Sequence, residues 1–305
     1  MTPLMQQYWE IKNQHMDKIL LFRMGDFFEM FHQDAETAAP ILNIALTQRN
    51  KKGGDETKMC GVPHHSIAGP ISRLLKAGRR VAICDQIEDP AVAKGIVKRA
   101  VTRVLTPGMV YDPETLDNVS ANYLASYDSN TVAFADVTTG EAFYYILSKE
   151  SDREEILALL RPVEIVLKPG IEREGGEILI SRLDGDMEPP ERLKAYVLKL
   201  QGEEVAKNLR TFEERSLVQC MRLSPTTIRH LEIFETSRGE KSPTLFSAMD
   251  RTRTSAGARQ LKAWLAFPLL DPRKILERQS RVDFWFNDSD KMRTVREMLG
   301  NLGDL

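Results

Sequence analysis

Cysteine is scarce in this sequence: Cys60, Cys84 and Cys220 are the only three in 305 residues. So few, so scattered, exclude a disulfide framework and fit a reducing compartment. No apolar run reaches membrane-spanning length, and Met1 leads directly into a polar, amphipathic segment without the marks of a secretory leader. A cytoplasmic protein is the simplest expectation. No G-x-x-x-x-G-K-S/T string occurs; Gly239-Glu240-Lys241-Ser242 comes nearest but lacks a glycine five residues before Gly239. Compositional bias is absent as well. At 42% hydrophobic and 28% charged the chain is ordinary globular protein, long enough for two or three domains with real cores.

Net charge is close to nil, −2, but it is unevenly laid out. Acids outnumber bases from Lys149 to Arg215, in clusters such as Glu154-Glu155, Glu203-Glu204 and Glu213-Glu214. Residues 91 to 111 hold Lys94, Lys98, Arg99 and Arg103 and no acid, and residues 222 to 262 hold eight bases against four acids. A polyanion is therefore expected at the two ends of the chain, with the middle a spacer or a partner surface.

The stretch around which the chain is organised is Lys18 to Phe31, KILLFRMGDFFEMF. It is apolar and β-prone up to Met24, breaks at Gly25-Asp26, and resumes as Phe27-Phe28-Glu29-Met30-Phe31, which predicts two extended pieces around a tight turn. Alternate side chains share a face, so Phe28 and Met30 form the core pair and Phe27 and Glu29 are displayed side by side. Taken alone, Phe27 is as well explained as one more core aromatic.

Its context gives it another meaning. TPLMQQYWEIK before this string, and CGVPHH, VAICDQIEDP and VTRVLTPG after it, together resemble the N-terminal mismatch-recognition domain of the MutS family of DNA mismatch-repair proteins. In that family an aromatic-x-Glu element reads the mismatch, and by resemblance it falls on Phe27 and Glu29. A Phe wedge entering from the minor groove unstacks a base step, which costs a few kcal/mol at a normal step. A mismatched step has already lost part of that energy, so the wedge enters it at lower cost. Glu29 gains only where it meets a donor on a displaced base, or takes up a proton in the negative potential of the phosphates.

Other segments fill out the first domain. A helix is expected over residues 3 to 16, and a second over Gln33 to Leu46 capped by Asp34 or its predecessor. Gln48 to Gly54 reads as a polar, basic turn in which Arg49, Lys51 and Lys52 are placed to touch phosphates; Lys94, Lys98 and Arg99 are further candidates. Cys60, His64 and His65, with Cys84, invite a metal reading, but the spacing matches no paired-ligand pattern and no metal is expected. A helix over Ser66 to Gly78 and strands at Val81 to Cys84 and Val101 to Leu105 complete an α/β domain with a mixed sheet, residues 1 to 115.

Residues 116 to 213 open with three predicted strands, Tyr123 to Tyr127, Thr131 to Val137 and Glu141 to Leu147. A helix from Ser151 with a Ser151/Glu154 capping box and a strand at Glu164 follow. This resembles the family's connector, a second α/β domain of ribonuclease H-like fold. That fold raises a metal-dependent nuclease as an alternative, with Asp136 on a strand, but Glu141 and Glu164 stand at no recognisable spacing from it, and Asp136 before Thr-Thr-Gly is a common turn starter. A protein-interaction module without DNA contact is the other alternative, the acidic middle docking repair partners.

Residues 214 to 305 turn helical, and Asp250 to Leu269 resembles the start of the family's core, or lever, domain; Leu261, Trp264 and Leu265 are expected in its interior. The resemblance thus implies reader, connector and a partial all-α core, some of whose apolar surface must be exposed. It implies mismatched double-stranded DNA as ligand and other mismatch-repair proteins as partners through the connector. The family's ATP and Mg site, and homodimerisation, belong to the full-length protein. Without a phosphate-cradling glycine loop this chain is expected to be no enzyme and to hold no cofactor. Equilibrium nucleotide binding and phosphate-release assays on repurified chain should therefore show neither binding nor turnover of ATP, and turnover that survives repurification would contradict this.

Overall fold

The computed structural model describes residues 2–49, 57–88, 95–109, 121–173 and 178–302, and the chain falls into two compact units. The first comprises residues 1–116, 163–185 and 194–208, the second residues 117–162, 186–193 and 209–305. Among the described residues no helix is long and apolar enough to cross a membrane.

In chain order the first unit begins with α1 (Pro3–Lys12), β1 (Ile19–Met24), β2 (Phe27–Phe31), α2 (His32–Leu42), β3 (Thr47–Arg49), β4 (Thr57–Pro63), α3 (Ala68–Lys76), β5 (Val81–Gln86) and β6 (Arg99–Leu105). The six strands make a mixed sheet in the order β3-β4-β2-β1-β5-β6, with β1 and β5 parallel and the other pairs antiparallel. The expected break at Gly25-Asp26 is a two-residue hairpin, Met24 paired with Phe27, and Gly25 supplies the positive φ (56°) such a turn needs.

Both faces of the middle of this sheet are covered, so β1 and β5 are buried on both faces over their first four residues. On one face Ile19, Leu21, Phe28 and Met30 pack with Ala35, Ala38 and Leu42 of α2 and Leu74 and Leu75 of α3. On the other, Leu20, Phe22, Phe31, Ala82 and Cys84 pack with Tyr8 of α1, whose ring stands edge-on to Phe22 at 5.6 Å and Phe31 at 5.1 Å.

Asp34 does not cap α2, contrary to the sequence reading. The residue before the helix is Phe31, which has no side chain to cap with, and α2 ends early, where Asn43 turns left-handed (φ 54°). Asp34 is buried instead, against the Lys12 ammonium from the last turn of α1. Lys12 Nζ donates to Asp34 Oδ1 at 2.8 Å and to the Lys18 carbonyl at 2.6 Å, while Asp34 Oδ2 accepts the Leu20 amide at 3.0 Å. Burial pushes the Asp34 carboxyl above its ordinary pKa, with the Leu20 amide and the Lys12 ammonium pulling the other way.

The chain continues with β7 (Leu124–Tyr127), β8 (Thr131–Asp136), β9 (Glu141–Ile146), α4 (Glu150–Leu160), β10 (Glu164–Leu167), β11 (Leu179–Arg182), α5 (Pro189–Asn208), β12 (Glu213–Glu214), α6 (Pro225–His230), α7 (Leu245–Met249), α8 (Ser255–Ala266), α9 (Pro272–Phe286) and α10 (Ser289–Gly300). β10 and β11 pair in parallel within the first unit. There Glu164, fully buried, accepts the Gly108 amide at 3.1 Å, the Tyr196 hydroxyl at 2.6 Å and the Ser181 hydroxyl. Arg80 adds bonds to Ser181 Oγ (2.9 Å), the Ile180 carbonyl (2.6 Å) and Asp17 (3.1 Å).

In the second unit β7, β8 and β9 form the expected antiparallel meander, with β12 parallel to β9. Tyr123, Phe134, Phe143 and Tyr145 make its aromatic core. α4 starts one residue before the predicted Ser151 cap, without a side-chain cap bond, and Asp152 in its first turn is buried against Arg222 at 2.6 Å. α6 is capped by Ser224, whose side chain accepts the Thr227 amide, and it ends at His230 and leaves Leu231 60% exposed. Trp264, predicted interior, is 39% exposed, its ring facing the Arg278 guanidinium at 3.9 Å. α9 and α10 bury no residue, and Leu276, Val282, Phe284 and Phe286 stand more than half exposed, in line with the expected open helical region.

The buried Lys12–Asp34 pair ties α1 to the sheet, and removing one partner leaves an uncompensated charge. Lys12→Met should cost on the order of 3 to 5 kcal/mol in urea unfolding. Lys12→Met combined with Asp34→Leu should cost less than the sum of the two single changes, and strict additivity would show that the two groups act independently.

Candidate nucleic-acid interface

Phe27 and Glu29 stand where β2 alternation puts them. Phe27 is 47% exposed, Glu29 half-buried, and Phe28 and Met30 between and beyond them are buried on the opposite face. The pair belongs to the face that α1 covers further down the sheet, and it lies at the hairpin end, beyond that cover.

The hairpin is braced from three sides. The His64 amide donates to the Asp26 carbonyl at 2.9 Å, tying the turn to the end of β4, and the His64 imidazole lies 3.9 Å from the Asp26 carboxylate. Arg23 Nε donates to the Gly25 carbonyl at 2.5 Å, and its guanidinium lies over the Phe28 ring at 5.4 Å. Arg99 Nε donates to the Arg23 carbonyl at 2.7 Å from the far side of β5, and the same guanidinium bonds Gln7 at 3.0 Å and the Val97 carbonyl at 2.8 Å and sits 5.1 Å over Phe22. Burial pulls the Arg99 pKa down. Arg99, predicted as a phosphate contact, thus spends most of its donors inside the domain. No sequence signal foretold this brace, since it depends on β6 folding back beside β5.

The other predicted cations divide. Lys98 is exposed, one residue before β6, and its amide bonds Glu88 at 2.6 Å. The pairing of Gln86 with Arg99, and of Phe22 with Cys84, sets that corner at the hairpin end of the sheet. Arg49 pairs through its backbone with Thr57, at the end of β4 opposite Pro63, the partner of Phe27. Six residue steps at about 3.3 Å separate the two ends, roughly 20 Å. Lys51, Lys52 and Lys94 lie outside the described residues.

The residues of the metal reading do not converge. Cys60 packs on the α2 face and donates its thiol to the Ala35 carbonyl at 3.7 Å; Cys84 is buried on the α1 face. Burial, with a smaller push from the Asp34 charge, raises Cys60 to about 11, and burial raises Cys84 to about 12, so both are protonated thiols at neutral pH.

The acids of the nuclease reading are each engaged by separate partners. Asp136, 1% exposed, accepts the Asn122 and Thr138 amides at 3.0 and 2.9 Å and the Thr138 hydroxyl at 2.5 Å, the turn-starting role its sequence suggested. Glu141 holds Tyr123 and Arg215, and Glu164 the buried group described above.

Comparison with known proteins gives this geometry a family. A family model described as MutS domain I matches residues 2–114, and one described as MutS domain III matches residues 226–305. Curated relatives named DNA mismatch repair protein MutS align over the whole chain at 34% identity in Fusobacterium nucleatum, 36% in Caldanaerobacter subterraneus and 37% in Desulfitobacterium hafniense. The alignments take in 39%, 40% and 38% of those proteins, so the chain spans about two fifths of their length. With identity of this order along its entire length and two domain models matched in family order, the chain belongs to the MutS family.

Proposed function

We propose that this chain binds duplex DNA at mismatched steps, residues 1–115 acting as the reader, 116–213 as a ribonuclease H-like connector and 214–305 as the start of the helical core. The observation that carries the proposal is an aromatic ring, Phe27, left 47% exposed beside Glu29 at the end of a hairpin whose two strands are the innermost of six. A single exposed Phe is ordinary on a protein surface; this one gains meaning from its place beside Glu29 at a braced hairpin tip, inside the segment matched by the MutS domain I model. A base step opened from the minor groove would cover it, and stacking against a ring contributes roughly 1 to 3 kcal/mol per base.

Phosphate attraction supplies the sequence-independent part of the affinity. Lys98 lies at the wedge end of the sheet, and the basic segment around Lys51 and Lys52 starts from the other end. Such contacts make binding fall with added salt. Glu29 works against that attraction on matched DNA and repays it only where a displaced base offers a donor. Selectivity thus arises from a small attraction at the lesion set against a repulsion everywhere else. Repair partners would dock through the connector, with its acidic stretch.

Titrations of matched and singly mismatched duplexes at several salt concentrations test this. The full chain should prefer the mismatch and lose affinity for both duplexes as salt rises; salt-insensitive binding or none would leave only the protein-docking role. Phe27→Ala should abolish the preference and shift stability by about 1 kcal/mol or less, since half the ring is already in water. Phe28→Ala, on the buried side of the same strand, should instead cost roughly 3 to 5 kcal/mol.

Glu29→Gln tests the second residue. Relieving the repulsion should strengthen binding to matched DNA, while on the mismatch the loss of a charge-assisted bond offsets that gain. The ratio of the two affinities should therefore shrink. An unchanged ratio would remove Glu29 from the reading of the mismatch.

A further inference from the structure

Among the described residues Gly61 is the one glycine that lies inside a strand. A glycine there costs strand stability, since it loses the most freedom on folding and brings no side chain to pack. Backbone conformation does not explain it, because its φ is outside the positive region that glycine alone enters with ease. Space does. Gly61 is the register partner of Glu29, and the next outward pair is Phe27 with Pro63, so a Cβ on Gly61 would rise on the face that carries both. Such an atom would lie 3.5 Å from Glu29 Cγ, 3.9 Å from Phe27 Cδ1 and 3.4 Å from the Phe28 carbonyl oxygen.

We infer that Gly61 is a positioning and specificity-determining residue for mismatch reading: the absence of its side chain lets Phe27 and Glu29 lean over β4, and this fixes the tilt of the ring and the reach of the carboxylate. The inference rests on the proposed roles of Phe27 and Glu29. A single methyl meets its neighbours at ordinary contact distance, so alanine fits. A β-branched residue fills two of the three staggered positions on Cβ, each about 1.5 Å further out, and cannot keep both clear of Glu29 Cγ and the Phe27 ring. The side chains that must give way are the displayed ones, because the other near neighbour is backbone.

The test uses the full chain with Gly61→Ala and Gly61→Val, titrated with matched and mismatched duplexes, and a 2-aminopurine beside the mismatch to report unstacking. Both variants should melt at or above the parent temperature, because alanine and valine suit a strand better than glycine does. Gly61→Ala should keep the affinity ratio within about twofold, and Gly61→Val should lower it roughly tenfold, the low end of one base-aromatic stack, and quench the 2-aminopurine response. Matched-duplex affinity should stay the same, which a general loss of structure would not allow. A Gly61→Val chain with the parent's ratio and fluorescence overturns the inference. Should that variant not fold, Gly61→Ser, with one γ atom, decides the matter in the same way at smaller amplitude. If the parent shows no mismatch preference, or Phe27→Ala retains it, the proposed function itself fails; if Phe27→Ala abolishes it and Gly61→Val does not, only the role of Gly61 fails.

Discussion

The register of the β1–β2 hairpin is the constraint on which the rest depends. Phe22 faces Glu29, Arg23 faces Phe28 and Met24 faces Phe27, and because strand side chains alternate, a slip of one residue would exchange the two sets. Phe28 and Met30 would then lose their places against α2 and α3, and a carboxylate would enter that core in their stead. Burial of two large apolar side chains against burial of an ion is a difference of several kcal/mol, so the core chooses which residues are displayed. The two-residue turn at Gly25-Asp26 and the His64 amide bond to the Asp26 carbonyl hold that choice at the tip.

The hairpin was legible in the sequence because its information is local: a β-prone run, a turn dipeptide and a second run of the right parity. The meander of β7, β8 and β9 was legible for the same reason. Asp34 was misread because a cap residue and a buried ion-pair partner look alike until Lys12, on another helix, is known to reach it. The internal bonds of Arg99 were hidden for a related reason, its acceptors at Gln7 and Arg23 being more than seventy residues away. The Trp264 error has another cause: its face of α8 meets the Arg278 side chain rather than a packed partner. Local pattern reveals which residues form an element, while the fate of a charge is settled by whatever is folded against it.

Placement of charge has a further consequence for affinity. Arg23 and Arg99 give donors to the Gly25 and Arg23 carbonyls of the hairpin and brace it. Lys98 is exposed at the hairpin-end corner of the sheet, and β3, which leads towards the basic sequence after Arg49, ends beside Thr57 at the opposite end of β4. Cations placed at the ring would strengthen matched and mismatched binding alike and dilute the contribution of the wedge. In the proposed function Glu29 beside Phe27 does the reverse, which would leave nonspecific attraction to more distant cations.

A wedge can impose no more strain on a duplex than its own mount resists. Opening and kinking a base step costs a few kcal/mol, and a floppy hairpin would yield first. Here the two hairpin strands are the inner pair of a six-stranded sheet packed on both faces, so bending the hairpin means disturbing two cores together. At the other end of β1 and β5 the Arg80 carbonyl holds Ile19, and the Arg80 side chain enters the buried group of Ser181, Glu164 and Tyr196, which also grips Gly108 after β6. The sheet is thus anchored at the end remote from Phe27 by bonds whose loss would leave buried polar atoms unpaired, at about 1 to 3 kcal/mol each. Several such bonds must fail before the mount gives way, so in the proposed function the strain of insertion would fall on the DNA, and a step already weakened by a mismatch would be the one to yield.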